Sequence, residues 1–334
     1  MSKSEKKTTI YDIAKELEIS ASTVSSALNG TWKARRISEK KAMHIQQFAR
    51  EKGYSINMQA RGLRAAKSGM IGLLIPQHDS RFFASLAQEF DHSAKRRGLC
   101  PIVIATERES SDERQTAETL ISFSVDALFI AGATDPDAIS DVCTQAGVPH
   151  INLDLPGKKA PSIVTDNFSG ATDLVVAIRD RIKSDSAQSL VFIGGNLEDY
   201  ATKERIRGFK QATSDLPNDL CSIYAEGYQP KDVHETAKRI FSPSHPAPAG
   251  VFVNSITAFE GIIQFMQENQ RHPLRRSIIG CFDYHPFLAY VPYNAFMVRQ
   301  NVKEMIHLAF ELWERGDTGN HIVKVKPELV INGA

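Results

Sequence analysis

The sequence predicts an all-α head followed by a doubly wound α/β body, and three observations carry that expectation. Between Thr9 and Gly53 apolar residues recur at helical spacing, and beyond Gly69 short apolar runs alternate with amphipathic stretches. The charge divides at the same place. The 334 residues sum to +1, but residues 1–67 hold 14 basic against 6 acidic side chains, or +8, and the remainder holds 26 against 33, or −7.

The head reads as three helices. In TTIYDIAKEL, Ile10, Ile13, Ala14 and Leu17 share one face, and Thr9 with Asp12 has capping-box spacing. After a short turn, Ser20 is placed to cap a second helix with Ala21, Val24, Ala27 and Leu28 inward, which Asn29-Gly30 ends. A third is expected from the cap Ser38, packing Ala42, Ile45, Phe48 and Ala49, to Gly53. Two helices joined by a tight turn, with a third in support, have helix-turn-helix spacing, in which the second helix enters the major groove of DNA. The +8 charge favours that reading over a plain helical bundle, because Lys and Arg that neutralise phosphates supply most non-specific affinity.

Asn57 is placed to cap a further helix through Ala60, Arg61, Leu63 and Arg64. With Gly62 inside it and about ten residues in length, it needs a partner to fold. In the body, MIGLLIP (70–76), PIVIAT (101–106), ALFIAG (127–132), HINLDL (150–155), LVFIGG (190–195), GVFVNS (250–255) and SIIGCFDY (277–284) read as buried parallel strands with helices between them. Two such halves place a ligand at the carboxyl ends of their strands, in the cleft between them.

Particular motifs narrow this. Y-D-I-A, S-x-x-T-V-S-x-A-L-N-G, I-S-E-K and G-Y-S-I-N-x-x-A-R-x-L-R resemble the head of the lactose-repressor/galactose-repressor (LacI/GalR) family of transcription regulators. The body is similar to that family's periplasmic-binding-protein-like core through D-N-x-x-G at Asp166–Gly170, R-x-x-G-F at Arg205–Phe209, Val253-Asn254 and Phe282-Asp283. The resemblance implies a helix-turn-helix domain over 1–56, a hinge helix over 57–68 and an effector-binding and dimerisation core over 69–334. Within that core it implies an N-subdomain of about 69–166 plus 298–322, and a C-subdomain of about 167–297 plus 323–334. It implies a homodimer on a pseudo-palindromic operator, with no heptad tail after Glu328–Ile331 for a tetramer.

By resemblance, Ala21, Ser22 and Ser26 read bases, and Thr9, Tyr11, Ser20, Thr23, Ser25 and Asn29 complete the DNA face. Ser26 stands where many relatives carry Arg and reaches fewer base atoms. The longer connection Thr31–Arg36 is similar to the fructose- and sucrose-repressor branch, and Arg35 and Arg36 are expected at phosphates. In the hinge, Leu63 matches the leucine that wedges between base steps, with Arg61 and Arg64 by phosphates.

For the effector, Arg205, Asn254 and Asp283 match sugar-contacting positions, and Asp154 and Gln300 are weaker matches. Tyr228 is expected over an apolar sugar face, and Asp79, Arg81 and Phe82 on the first strand–helix loop. An Arg205–Asp283 ion pair is the structural alternative. Leu155 follows Asp154 where the fructose branch tends to carry a basic residue, which favours a neutral sugar over a phosphosugar, although Lys203 and Arg207 flank Arg205. The implied mechanism is allosteric, the effector selecting an arrangement of the two halves that alters how the hinges meet DNA.

The rival classes are a sugar-processing enzyme and a sugar-binding receptor on the same core. No G-x-G-x-x-G after a strand, P-loop, H-E-x-x-H or G-x-S-x-G supports the first. A receptor has no use for residues 9–64. No cofactor or metal is expected. The start MSKSEKKTT has no apolar core, and no run reaches the roughly 18 apolar residues of a membrane helix, so a cytoplasmic location is expected. Cys100, Cys143, Cys221 and Cys281, with no C-x-x-C spacing, are read as reduced packing residues.

Overall fold

The structure, a computed structural model, describes residues 8–54, 67–182, 189–241, 246–290 and 295–331. It forms two compact units, Met1–Ser68 and Gly69–Ala334. No described helix is long and apolar enough to cross a membrane.

The first unit holds α1 (Ile10–Glu16), α2 (Ala21–Leu28) and α3 (Glu39–Glu51). Thr9 and Asp12 make the full capping box, and Ser20 and Ser38 each accept a backbone N–H at the start of their helices. Ile13, Ala14, Val24, Ala27, Ala42, Ile45 and Ala49 fill the core, with Trp32 and Phe48 packed against it. Ala21 and Leu28, expected inward, are only half-buried at its margin. Gln46 Nε2 donates to Ala27 O at 2.8 Å, satisfying a carbonyl that the end of α2 would otherwise leave unpaired. The hinge positions Asn57, Ala60, Arg61, Leu63 and Arg64 lie outside the described residues.

The second unit contains two six-stranded sheets. The first has the order β2 (Cys100–Ala105), β1 (Met70–Ile75), β3 (Ala127–Ala131), β4 (His150–Leu153), β5 (Ser162–Thr165), β13 (Ile322–Val325), all parallel. The second has the order β8 (Cys221–Tyr224), β6 (Leu190–Ile193), β10 (Gly250–Val253), β11 (Ile278–Phe282), β12 (Ala295–Arg299), β14 (Glu328–Ile331), parallel except for β14 against β12. A short antiparallel pair, β7 (Gly195–Asn196) and β9 (Glu226–Gly227), lies apart from both.

Helices α4 (Arg81–Arg96), α5 (Ser110–Ser122), α6 (Pro136–Gln145) and α11 (Val302–Glu314) accompany the first sheet. Helices α7 (Asn167–Arg181), α8 (Tyr200–Ala212), α9 (Pro230–Ile240) and α10 (Ile256–Glu268) accompany the second. Phe90 of α4, Phe129 of β3 and Phe310 of α11 meet with ring centroids 5.0–5.6 Å apart, so a helix late in sequence is tied into the first lobe. Phe192 and Phe252 stack at 4.8 Å in the second. Each such fully buried ring contributes on the order of 1.5–3 kcal/mol.

Three details differ from the sequence reading. β12 runs through Arg299 in the second sheet and Ile322–Val325 pairs with β5 in the first. The chain therefore crosses between lobes at Gln300 and again after Val325, rather than near 298 and 322. Cys100 is exposed on an edge strand rather than packed, whereas Cys143 and Cys281 are buried, and burial pushes the Cys143 thiol up to about 12. Strands β5, β8, β12, β13 and β14 and the short β7–β9 pair were not expected.

Candidate functional site

On the helical unit, Tyr11, Ala21, Ser22, Thr23, Ser25, Ser26 and Arg35, with Ile10 and Ile37, line one concave surface of about 510 Å³. Thr9, Ser20, Asn29 and Arg36 stand outside that lining. The capping role explains two of them: Thr9 Oγ1 lies 2.7 Å from Asp12 Oδ2, and Ser20 Oγ lies 2.8 Å from Thr23 Oγ1. Ser26 Oγ donates to Ser22 O at 2.8 Å, so its hydroxyl offers an incoming base an acceptor rather than a donor while that bond holds. Trp32 anchors the basic connection in the core with Lys33 Nζ 5.2 Å from its ring, which leaves Arg35 and Arg36 exposed.

In the second unit, a cavity of about 260 Å³ lies between the lobes at the carboxyl ends of the strands. Phe82, Asp154, Arg205, Tyr228, Asp283 and Gln300 line it together, as do Arg108, Asp199, Asn196, Gln229, Ser255 and Thr257, which the sequence reading missed. Asp154 follows β4 and Asp283 follows β11, both with left-handed backbone, φ 69° and 86°. A non-glycine residue held there costs on the order of 1–3 kcal/mol, a cost that tends to accumulate at functional sites. The two strained turns aim carboxyl groups into the cavity from opposite lobes.

Arg205, only 4% exposed, is held from three sides: Nε donates to Asn167 Oδ1 at 2.8 Å, Nη1 donates to Asn254 O at 2.5 Å, and the guanidinium lies 3.7 Å from the Phe282 ring centroid. Arg205 and Asp283 form no ion pair; Asp283 Oδ1 instead accepts from Gln300 Nε2 at 2.5 Å, and Gln300 Oε1 accepts from Thr165 Oγ1 at 2.5 Å. Burial pushes the Asp154 carboxyl up to about 6 against the pull of Arg108 and Arg205. Burial also raises Asp283, opposed by Arg205 and by hydrogen bonds from Gln300 and the Ile256 backbone. Tyr228, pushed up to about 12 by burial, shares a 2.7 Å hydrogen bond with Thr202 Oγ1.

Three expected residues fall elsewhere. Asn254 is fully buried behind the lining, its Nδ2 donating to Thr202 Oγ1 at 3.2 Å and its Oδ1 without a partner. Asp79 is exposed and lines neither cavity, and Arg81 lines a neighbouring cavity with Arg299 and Lys303. The cations flanking Arg205 also lie outside the lining: Lys203 pairs with Glu198 and Arg207 with Glu204 on the surface. His285 is structural, its Nδ1 accepting the Phe287 N–H at 3.0 Å.

Residues 71–305 match the periplasmic binding protein domain family. A ribitol operon repressor from Klebsiella aerogenes is 47% identical over 193 residues, which cover 57% of this chain and 71% of that protein. The chain belongs to the LacI/GalR family. Its similarity to other members extends over nearly the whole length: the sucrose operon repressor of Klebsiella pneumoniae is 24% identical over 311 residues, 92% of this chain and 91% of that one. The solved Lac repressor bound to ONPG in its repressed state shares the fold with a TM-score of 0.82 at 17% identity, covering 97% of this chain and 98% of that one.

Proposed function

We propose that this LacI/GalR chain is a sequence-specific DNA-binding repressor of genes for carbohydrate or polyol use, its DNA affinity set by a small polyhydroxylated effector in the inter-lobe cleft. One observation carries the reading. Two strained aspartates, a three-sided arginine and a glutamine converge on a 260 Å³ cavity in a chain whose head presents an exposed helix-turn-helix face. Buried acceptors and donors of this kind recognise hydroxyls, because a ligand lacking a hydroxyl leaves them unpaired. The 47% identity to a ribitol operon repressor supports a polyol or sugar as the ligand class.

The protein acts as a homodimer on a pseudo-palindromic site, since a two-fold dimer places two recognition helices on matching half-sites. The test begins with selection of a binding duplex from a randomised library. Fluorescence anisotropy on that duplex is then titrated with pentitols, pentoses, hexoses and disaccharides. One member of the panel is expected to shift operator affinity by the 5–150-fold typical of a coupling of about 1–3 kcal/mol. Failure to select any duplex, or operator affinity indifferent to the whole panel, refutes the reading.

A further inference from the structure

Two cations line the 260 Å³ cavity, and among the described residues one of them has no internal partner. Arg205 is engaged by Asn167, Asn254 and Phe282. Arg108 enters from the loop after β2, lines the same cavity, and makes no side-chain hydrogen bond or ion pair among the described residues. Among the charges acting on the Asp154 carboxyl group, that of Arg108 is the largest.

The fold fixes this arginine in place. Glu107 and Arg108 are consecutive non-glycine residues with left-handed backbone, φ 49° and 60°. The strained pair is held from beneath. Thr134 Oγ1 lies 3.1 Å from Arg108 O, and Thr134 N donates to both oxygens of Glu113, at 2.9 and 3.0 Å. Glu113 is 1% exposed, so a buried carboxylate of α5 anchors the β3–α6 loop, and that loop anchors the backbone of Arg108. Backbone strain maintained by a buried charge positions a side chain that has no structural work of its own.

Sequence alone favoured a neutral ligand, because Leu155 occupies the place beside Asp154 where a cation would sit. Space supplies from another loop what the local sequence lacks. We infer that Arg108 is the specificity-determining residue for the end group of the effector, and that the cleft takes a polyhydroxylated chain ending in an anionic group, a phosphate or a carboxylate. This rests on the reading of the cleft as an effector site. Asp283 and Asp199 lie in the same lining, and Asp154 faces Arg108. These acids accept from the hydroxyls along the chain, so within the 260 Å³ cavity the anionic end is placed at the Arg108 corner. Arginine suits that corner because its planar fork donates two parallel hydrogen bonds to phosphate or carboxylate oxygens.

Isothermal titration of the full chain with ribitol, ribitol 5-phosphate and ribonate tests the assignment, with operator binding measured in parallel. One anionic probe is expected to bind at least about tenfold tighter than ribitol, the ratio that a single charge-assisted hydrogen bond supplies. The two anionic arms separate phosphate from carboxylate. Arg108→Gln should abolish that ratio, and Arg108→Lys should restore part of it. Arg108 is exposed, so both variants fold. Thr134→Val, which frees the loop without touching the guanidinium, should lower the ratio in the same direction. If ribitol binds as tightly as both anions, or if the ratio survives Arg108→Gln, the assignment is wrong while the effector cleft stands. If none of the three binds and operator affinity also ignores the wider sugar panel, both fall together.

Discussion

Asp154→Asn separates stability from ligand binding. The Asp154 carboxyl is buried, makes no hydrogen bond among the described residues, and faces the cavity. An aspartate ordinarily near 3.8 and held at about 6 by burial costs roughly 3 kcal/mol of folding stability at neutral pH. The sign follows from the raised value. Below pH 3.8 the group is neutral in both states and costs nothing; as pH rises towards 6 the unfolded chain ionises first, and stability is lost through that window. Asparagine cannot ionise and tolerates the left-handed backbone at φ 69° as well as aspartate does. The variant is therefore expected to be more stable than the parent by up to roughly 3 kcal/mol at pH 7.5 and by about 1 kcal/mol at pH 4.5. Urea unfolding of the core, followed at both pH values, reads the difference. Effector affinity should fall in the same variant, because an amide replaces an acceptor with a partial donor. A destabilised variant, or a stability gain that does not shrink at pH 4.5, refutes the account of the Asp154 environment.

Other expectations follow from single contacts. Thr9→Ala removes one arm of the capping box and should cost the helical unit about 1 kcal/mol in thermal unfolding. Arg205→Met leaves Asn167 Oδ1 and Asn254 O without their donor, about 1–3 kcal/mol each, and should abolish effector binding by titration calorimetry. Gly195→Ala places a Cβ within 2.6 Å of Thr202 Oγ1 and closer still to Asn254 Nδ2, at a backbone φ of +94°. Lower core stability and weaker effector binding are both expected, measured by urea unfolding and calorimetry. Removing residues 1–68 should leave the core folded and its effector affinity intact while operator binding by gel shift disappears.

Much of the fold was legible because burial is written as unbroken apolar runs. MIGLLI, ALFIA and IIGCF are interior strands of their sheets, where both faces are covered, and they read plainly as strands. Strands β8 and β13 lie at sheet edges, are four residues long and only partly buried, so CSIY and IVKV carry no comparable signal. The site divides in a similar way. Asp154, Arg205 and Asp283 sit at fixed offsets from strands or in a helical motif, and the structure brings them together. Arg81 and Phe82 are adjacent in sequence, but one residue of helix turns the side chain by about 100°, so Phe82 lines both the cleft and the neighbouring cavity while Arg81 lines only the latter. Arg108 was invisible because its position depends on Thr134 and Glu113, which pattern along the chain does not connect to it.

The effector cleft also touches the segments on which movement of the lobes must turn. The chain passes between lobes at Asp166, at Gln300 and after Val325, and a relative rotation must be absorbed there. Gln300 is one of these crossings and a cavity residue at once: its amide joins Thr165 at the end of a first-lobe strand to Asp283 at the end of a second-lobe strand. A ligand hydroxyl that donates to Asp283 competes with the Gln300 amide for the same oxygen, and releasing that amide uncouples the two strand ends. If the cleft holds the effector as proposed, binding energy is applied to the crossing itself, without a relay of packed side chains. Gln300→Met removes both hydrogen bonds while keeping the side chain's length, so the free core should sample more lobe arrangements. Small-angle scattering of that variant without ligand should show a broader distance distribution than the parent. An unchanged distribution together with unchanged effector coupling places the hinge control elsewhere.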